Sequence, residues 1–209
     1  MNKVIYKMST KVTLINTIKG LEEAYLIWKN LKILGVDIEC ENNLHHYGAS
    51  ISIIQISSET QNWIVDVMTL GKIPQVVSIF ENPKIIKIFH GSDFDFRMLY
   101  SGFNCKVKNI FDTQIAAQLI GLSEIGLGAI LEKYLNVSKE EKFQMADWTK
   151  RPMTPEMLEY ATKDSKYLIT LRQILIKKLE EKNRVEWMTQ ECKYLEETTL
   201  KLHEPSFWD

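Results

Sequence analysis

Residues 32–39 read Lys-Ile-Leu-Gly-Val-Asp-Ile-Glu, a β-like run that ends in acid. At positions i and i+2, Asp37 and Glu39 share one face of such a strand. Val36 and Ile38 take the other face and point into a core. Two acids on one face of a central strand repel each other and cost desolvation unless a cation compensates. The competing reading is a strand already frayed at this point, with both acids solvated.

The flanking pattern supplies the layers for such a strand. Residues 11–16 form a short first strand, and Thr17 caps a helix to about residue 30 that keeps Leu21, Ala24, Tyr25 and Trp28 on one face. Residues 50–57 alternate cleanly, and 62–67 follow a polar turn, which makes a hairpin beside the acidic strand. From Pro74 the chain alternates helix (74–81), strand (84–89), helix (94–100) and strand (108–111), then helices 112–120 and 126–135. Thr154 with Pro155 at the first helical position starts a helix to about residue 182, and a last helix spans about 184–200. This order predicts an α/β fold: a mixed sheet of about five to six strands flanked by helices, with a helical C-terminal part.

The chain has 209 residues, 45% hydrophobic and 25% charged, enough for one large core. No repeat, low-complexity tract or Pro/Gly-rich linker divides it, so a single domain over residues 1–209 is expected. The net charge of -1 provides no global basic field, so nucleic-acid binding would have to come from local patches or metal ions. Cys40, Cys105 and Cys192 form no CxxC pair, which fits a reducing compartment and supports neither a zinc site nor a disulfide framework. The N-terminal eight residues lack the apolar core of a signal peptide, and no apolar run approaches the roughly 18 residues of a membrane span. A cytoplasmic protein with no membrane partner is expected.

Three further residues have the chemistry to join Asp37 and Glu39. Tyr160 and Asp164 are four apart in a helical segment, which sets a phenol beside a carboxylate about one turn away. Asp95 follows the strand 84–89, and loops at the carboxyl ends of sheet strands are where α/β proteins build sites. Asp93 is assigned to capping the next helix, and at least one of Phe94 and Phe96 to the core. Four carboxylates of this origin suit a pair of hard divalent cations, which prefer oxygen ligands. No His or Cys cluster is expected to compete; His45-His46 reads as solvated loop. Gly126-Leu127-Gly128 is not a phosphate cradle.

Val-Asp37-Ile-Glu39, His90-Gly-Ser-Asp-Phe-Asp95 and Tyr160-Ala-Thr-Lys-Asp164, in this order and spacing, resemble the three motifs of the DEDDy 3′–5′ exonucleases of the ribonuclease-H-like superfamily. Within that group the likeness is to ribonuclease D and the exosome-associated nuclease of eukaryotes. Ile54-Gln55-Ile56-Ser57, Phe111-Asp112-Thr113-Gln114 and Ala146-Asp147-Trp148-Thr149-Lys150-Arg151-Pro152-Met153 extend it over about residues 10–200. The resemblance implies that Asp37, Glu39, Asp95 and Asp164 hold two divalent ions, Mg²⁺ or Mn²⁺, and that Tyr160 hydrogen-bonds the attacking water. It implies stepwise release of nucleoside 5′-monophosphates from a 3′-hydroxyl end, with single-stranded RNA tails of structured RNA such as tRNA precursors as substrate.

Four further positions are secondary candidates, and three of them carry two readings. Gln55 approaches the terminal nucleotide or satisfies backbone groups at a sheet edge. His90 contacts phosphate or makes a structural hydrogen bond. Trp148 and Arg151 line the strand's path by stacking and phosphate pairing, or Trp148 anchors the loop before the catalytic helix. Met153 stands where the family usually has Leu, a swap of similar volume. Many ribonuclease D relatives continue into a further helical nucleic-acid-binding domain, for which residues 185–209 are too short; weak RNA affinity and little processivity are expected unless a partner supplies binding. Two alternatives remain: a Werner-type exonuclease acting on DNA, and a non-catalytic RNA-binding scaffold.

Overall fold

The computed structural model describes residues 12–138, 143 and 145–201. The chain runs β1 (Val12–Ile15), α1 (Ile18–Trp28), β2 (Ile33–Asn42), β3 (Ala49–Ser57), β4 (Asn62–Asp66), α2 (Val67–Leu70) and α3 (Pro74–Phe80). There follow β5 (Ile86–Phe89), α4 (Asp93–Phe103), β6 (Ile110–Asp112), α5 (Thr113–Leu119), α6 (Leu127–Leu135), α7 (Pro155–Lys166), α8 (Leu168–Glu181) and α9 (Val185–Lys201). Among the described residues the strands make one six-stranded sheet in the order β1-β4-β3-β2-β5-β6. The β2–β3–β4 centre is antiparallel, and β1, β5 and β6 add in parallel. This is the expected mixed sheet flanked by helices. Lys11 and the N-terminal eight residues lie outside the described residues. No helix among those described is long and apolar enough to cross a membrane.

The two faces of the sheet differ. On one, Val36, Ile38, Ile54, Ile56, Trp63 and Val65 join the main core. There α1, capped by Thr17, delivers Leu21, Ala24 and Trp28, and Trp28 meets Trp63 edge to face. On the other, Ile53 and Ile64 pack with Trp148, Met153, Met157, Tyr160 and Ala161, which arrive with α7 and the segment before it. Both faces of β3 are therefore covered. Ser52, Gln55 and Ser57 are buried, so the clean alternation of residues 50–57 separates two interiors and not an interior from water.

Three expectations change. The acidic strand does not end at Glu39; β2 continues through Cys40, Glu41 and Asn42 after a bulge between Glu39 and Cys40. That removes the frayed-strand reading. The single helix expected from 155 to 182 divides at Tyr167 into α7 and α8, where the chain presses on β2 at Gly35. There a β-carbon would sit 2.4 Å from the Ser165 carbonyl oxygen and 3.3 Å from the Leu168 β-carbon, so only a bare backbone permits the approach. Asp93 is not a cap: Ser92 holds that position, and Asp93 pairs with Arg97 one turn on.

Candidate active site

Close packing of α7 on the sheet builds the site. Thr154 caps the helix by accepting from Met157 N–H, and Pro155 opens it. At the far end the Ser165 hydroxyl meets that of Ser57 at 2.6 Å, beside the Gly35 contact. Asp164, next to Ser165 in the chain, is thereby brought down to β2. Carboxylate oxygens of Asp37, Glu39 and Asp164 lie within 4.8 Å of one another. At such distances like charges repel strongly, and a divalent cation is the natural neutraliser of three converging oxygens.

Asp95 comes from the first turn of α4, which Asp112 holds in place. The buried Asp112 carboxylate accepts from Gly91 N–H, Ser92 N–H and the Ser92 hydroxyl, and from Gln114 and Ile115 N–H at the start of α5. Gly91 turns there with φ of 69°. Burial, then Asp37, then Asp112, push the Asp95 carboxyl well above its usual range. The half-buried Cys40 thiol is also raised, first by burial and then by Asp95, Glu39 and Asp37; one thiol thus senses carboxylates from both β2 and α4. Asp112 is a positioning residue that reading the sequence had not singled out. Its signal was visible: an acid at a strand end followed at once by a helix.

Tyr160 and Asp164 share the buried face of α7. The Tyr160 ring lies 5.5 Å from that of Phe143 and 6.1 Å from that of Trp148, centre to centre. His90 meets the Thr113 hydroxyl at 2.9 Å through Nδ1. Because that hydroxyl donates to the Phe89 carbonyl, it must accept from the imidazole, and the proton sits on Nδ1. Phe96 is core, whereas Phe94 is partly exposed beneath the Arg97 guanidinium.

Three of the expected substrate contacts give way to other roles. Trp148 is 3% exposed and packs in the small core under α7, so it anchors its loop and offers no stacking face. Arg151 directs its donors inward: Nε and one terminal nitrogen grip both oxygens of Asp66 at 2.8 and 2.7 Å. The remaining contacts go to the carbonyls of Trp148, Lys150 and Ser52. Its five donors are taken, leaving none for phosphate. Gln55 has no exposed surface and cannot touch a nucleotide in this structure.

A second convergence was not foreseen. Glu41, His45 and Asp147 bring ligand-type atoms within 4.8 Å, where the sequence suggested only a solvated His45-His46 loop and no His cluster competing as a metal site. Here the buried Glu41 carboxylate is already engaged. One oxygen accepts from Leu44, His45 and His46 N–H at 2.6, 2.8 and 3.2 Å, and the other faces His45. The group shapes the β2–β3 loop.

A family profile described as 3′–5′ exonuclease matches residues 12–180. The chain belongs to this 3′–5′ exonuclease family. The exonuclease domain is 33% identical over 172 residues to the exosome complex exonuclease RRP6 of Saccharomyces cerevisiae, covering 82% of this chain and 23% of that protein. The chain thus spans about a quarter of that relative's length. Among solved structures, the catalytic core of Trypanosoma brucei RRP6 superposes with a TM-score of 0.85 at 29% identity, covering 92% of this chain and 55% of that one. Escherichia coli RNase D shares the fold with a TM-score of 0.84 at 21% identity, covering 91% and 51%. So does Brucella melitensis NrnC with bound Mg²⁺, at 0.78 and 24%, covering 96% and 98%.

Proposed function

We propose that this exonuclease domain is a divalent-metal-dependent 3′–5′ exoribonuclease. It removes nucleoside 5′-monophosphates from the 3′-hydroxyl end of single-stranded RNA tails, such as those of tRNA precursors, and works in the cytoplasm. The observation that carries the reading is the convergence of Asp37, Glu39 and Asp164 within 4.8 Å, with Asp95 electrostatically coupled to Asp37. An all-oxygen donor set fits two hard cations, Mg²⁺ or Mn²⁺. When bound, such ions supply a water nucleophile at neutral pH and neutralise charge on the departing 3′ oxygen. Asp37 and Glu39 hold them from β2, Asp95 from α4 and Asp164 from α7. Tyr160 orients the attacking water through its hydroxyl; with a reference pKa near ~10 a phenol is a poor formal base at neutral pH. His90, its Nδ1 proton committed to Thr113, stands at the mouth of α4 as a phosphate contact.

The test is a time course on 5′-labelled single-stranded RNA and its DNA counterpart, with Mn²⁺, Mg²⁺ or EDTA, and with 3′-hydroxyl or 3′-phosphate ends. The expected result is a metal-dependent ladder shortening from the 3′-hydroxyl end of RNA. A ladder on DNA alone would move the reading to a deoxyribonuclease. No ladder with any metal, from protein that still binds RNA, would leave a non-catalytic RNA-binding scaffold.

A further inference from the structure

Gln55 lies in the middle of β3 with none of its surface exposed. Among the described residues, neither its amide oxygen nor its amide nitrogen has a hydrogen-bonding partner. A buried carboxamide left unsatisfied destabilises a fold, and native proteins keep few such groups. Packing does not demand one here, since a methionine of the same length would fill the space without the penalty.

The register says what the amide stands beside. Gln55 is directly opposite Asp37 on β2 and Ile64 on β4. Opposed residues project from the same face with β-carbons about 4.5–5.5 Å apart, so the amide and the Asp37 carboxylate rise together toward α7. Its neighbours on that face of β3 are accounted for. Ile53 packs with Tyr160 and Trp148, and Ser57 bonds Ser165. Gln55 is left under the stretch of α7 between Tyr160 and Ser165, which carries Asp164.

We infer that Gln55 is a positioning residue: a neutral hydrogen-bonding group, buried by the fold without a partner among the described residues, that orients the Asp37 carboxylate when the acids converge on a divalent cation. The inference rests on the metal site proposed above. A lysine or arginine in this place would neutralise the acids and compete with the cation, and another carboxylate would add to their repulsion. An apolar residue would offer the Asp37 carboxylate no hydrogen bond. A neutral amide avoids all three, and the outer partners of metal-ligating carboxylates have large effects on affinity.

The experiment uses the full chain, stripped with EDTA, as wild type, Gln55→Met and Gln55→Asn. Mn²⁺ affinity is measured by titration calorimetry and thermal stability in EDTA. Gln55→Met is expected to melt at or above the wild-type temperature and to bind Mn²⁺ about 10-fold more weakly. Gln55→Asn keeps the amide but withdraws it by one methylene; it is expected to bind Mn²⁺ weakly as well, and to melt below wild type. Wild-type Mn²⁺ affinity in both variants would overturn the inference and leave Gln55 a packing residue. A Gln55→Met protein that fails to fold, or melts well below wild type, would show that the amide has a partner in the metal-free fold and overturn it equally. A wild-type chain that binds no Mn²⁺ would overturn the metal site itself together with this inference, a result separable from failure at Gln55 alone.

Discussion

Asp66 and the Asp37 group both bury acid on the α7 side of the sheet, and they solve the problem in opposite ways. Asp66, at the end of β4, is neutralised from within: Arg151 grips both of its oxygens, and Thr69 adds N–H and hydroxyl donors. The ion pair closes the segment before α7 onto the sheet, so its work is structural. Asp37, Glu39 and Asp164 instead crowd one another within 4.8 Å, and burial with the charge of Asp37 keeps Asp95 reluctant to ionise. A buried acid that the fold neutralises fixes the chain, whereas acids that the fold drives together call for a cation from solution.

The largest effect expected is on turnover. Asp37→Asn should leave the fold intact, with stability in EDTA equal to or above wild type, and lower the exonuclease rate by at least about 10²-fold, the scale of losing one charge-stabilising group. Substantial residual turnover would sink the comparison, because Asp37 would then be no more functional than Asp66. Arg151→Ala is the reverse case. It strands a buried charge and should cost about 3–5 kcal/mol in urea denaturation, while turnover per folded molecule survives. A lower rate at unchanged stability would return Arg151 to the substrate path.

Gly35→Ala sharpens the contrast, because only the Asp37 group depends on how closely α7 approaches β2. The added methyl meets the Ser165 carbonyl, so the helix must shift, at about 1–3 kcal/mol of stability. A misplacement of that kind can lower rate on the order of 10²-fold, and Mn²⁺ affinity should fall with it. Unchanged Mn²⁺ affinity would mean that the approach does not set the acids. Tyr160→Phe should slow the reaction while Mn²⁺ titration stays as in wild type, and an unchanged rate would remove the phenol from the mechanism.

The smallest effect is on pH dependence without metal. The raised Asp95 carboxyl makes the folded state hold its proton longer than the unfolded chain. Stability therefore declines as pH rises from about 3.9 toward the raised value. Asp66 has the opposite sign. Burial pushes its carboxyl up, but the Arg151 and Thr69 hydrogen bonds outweigh this and hold it low, so its contribution is present above about 3.9 and lost as pH falls through the lowered value. Urea midpoints against pH in EDTA should show both slopes, with Asp95→Asn abolishing the first and Arg151→Ala the second. A pH profile unmoved by either variant would deny that the two acids differ.

Much of this was legible along the chain because it is local. Thr154-Pro155 opens α7, the four-residue step from Tyr160 to Asp164 puts both on one helix face, and the two-residue step from Asp37 to Glu39 puts both on one strand face. These follow from the periods of helix and strand and need no partner. The order of elements along the chain carried the mixed sheet, and the family came from the resemblance of the three motifs in their order and spacing. What was misread depends on residues far apart in sequence. Arg151 lies far along the chain from Asp66, so its donors looked available to phosphate. Gln55 read as a nucleotide contact or a sheet-edge group, whereas β3 lies inside the sheet and α7 covers it, which makes Gln55 a buried amide without a partner among the described residues. Periodicity determined which side chains share a face; only tertiary packing decided which faces meet, because burial and ion pairing belong to the contact between elements and not to either element alone.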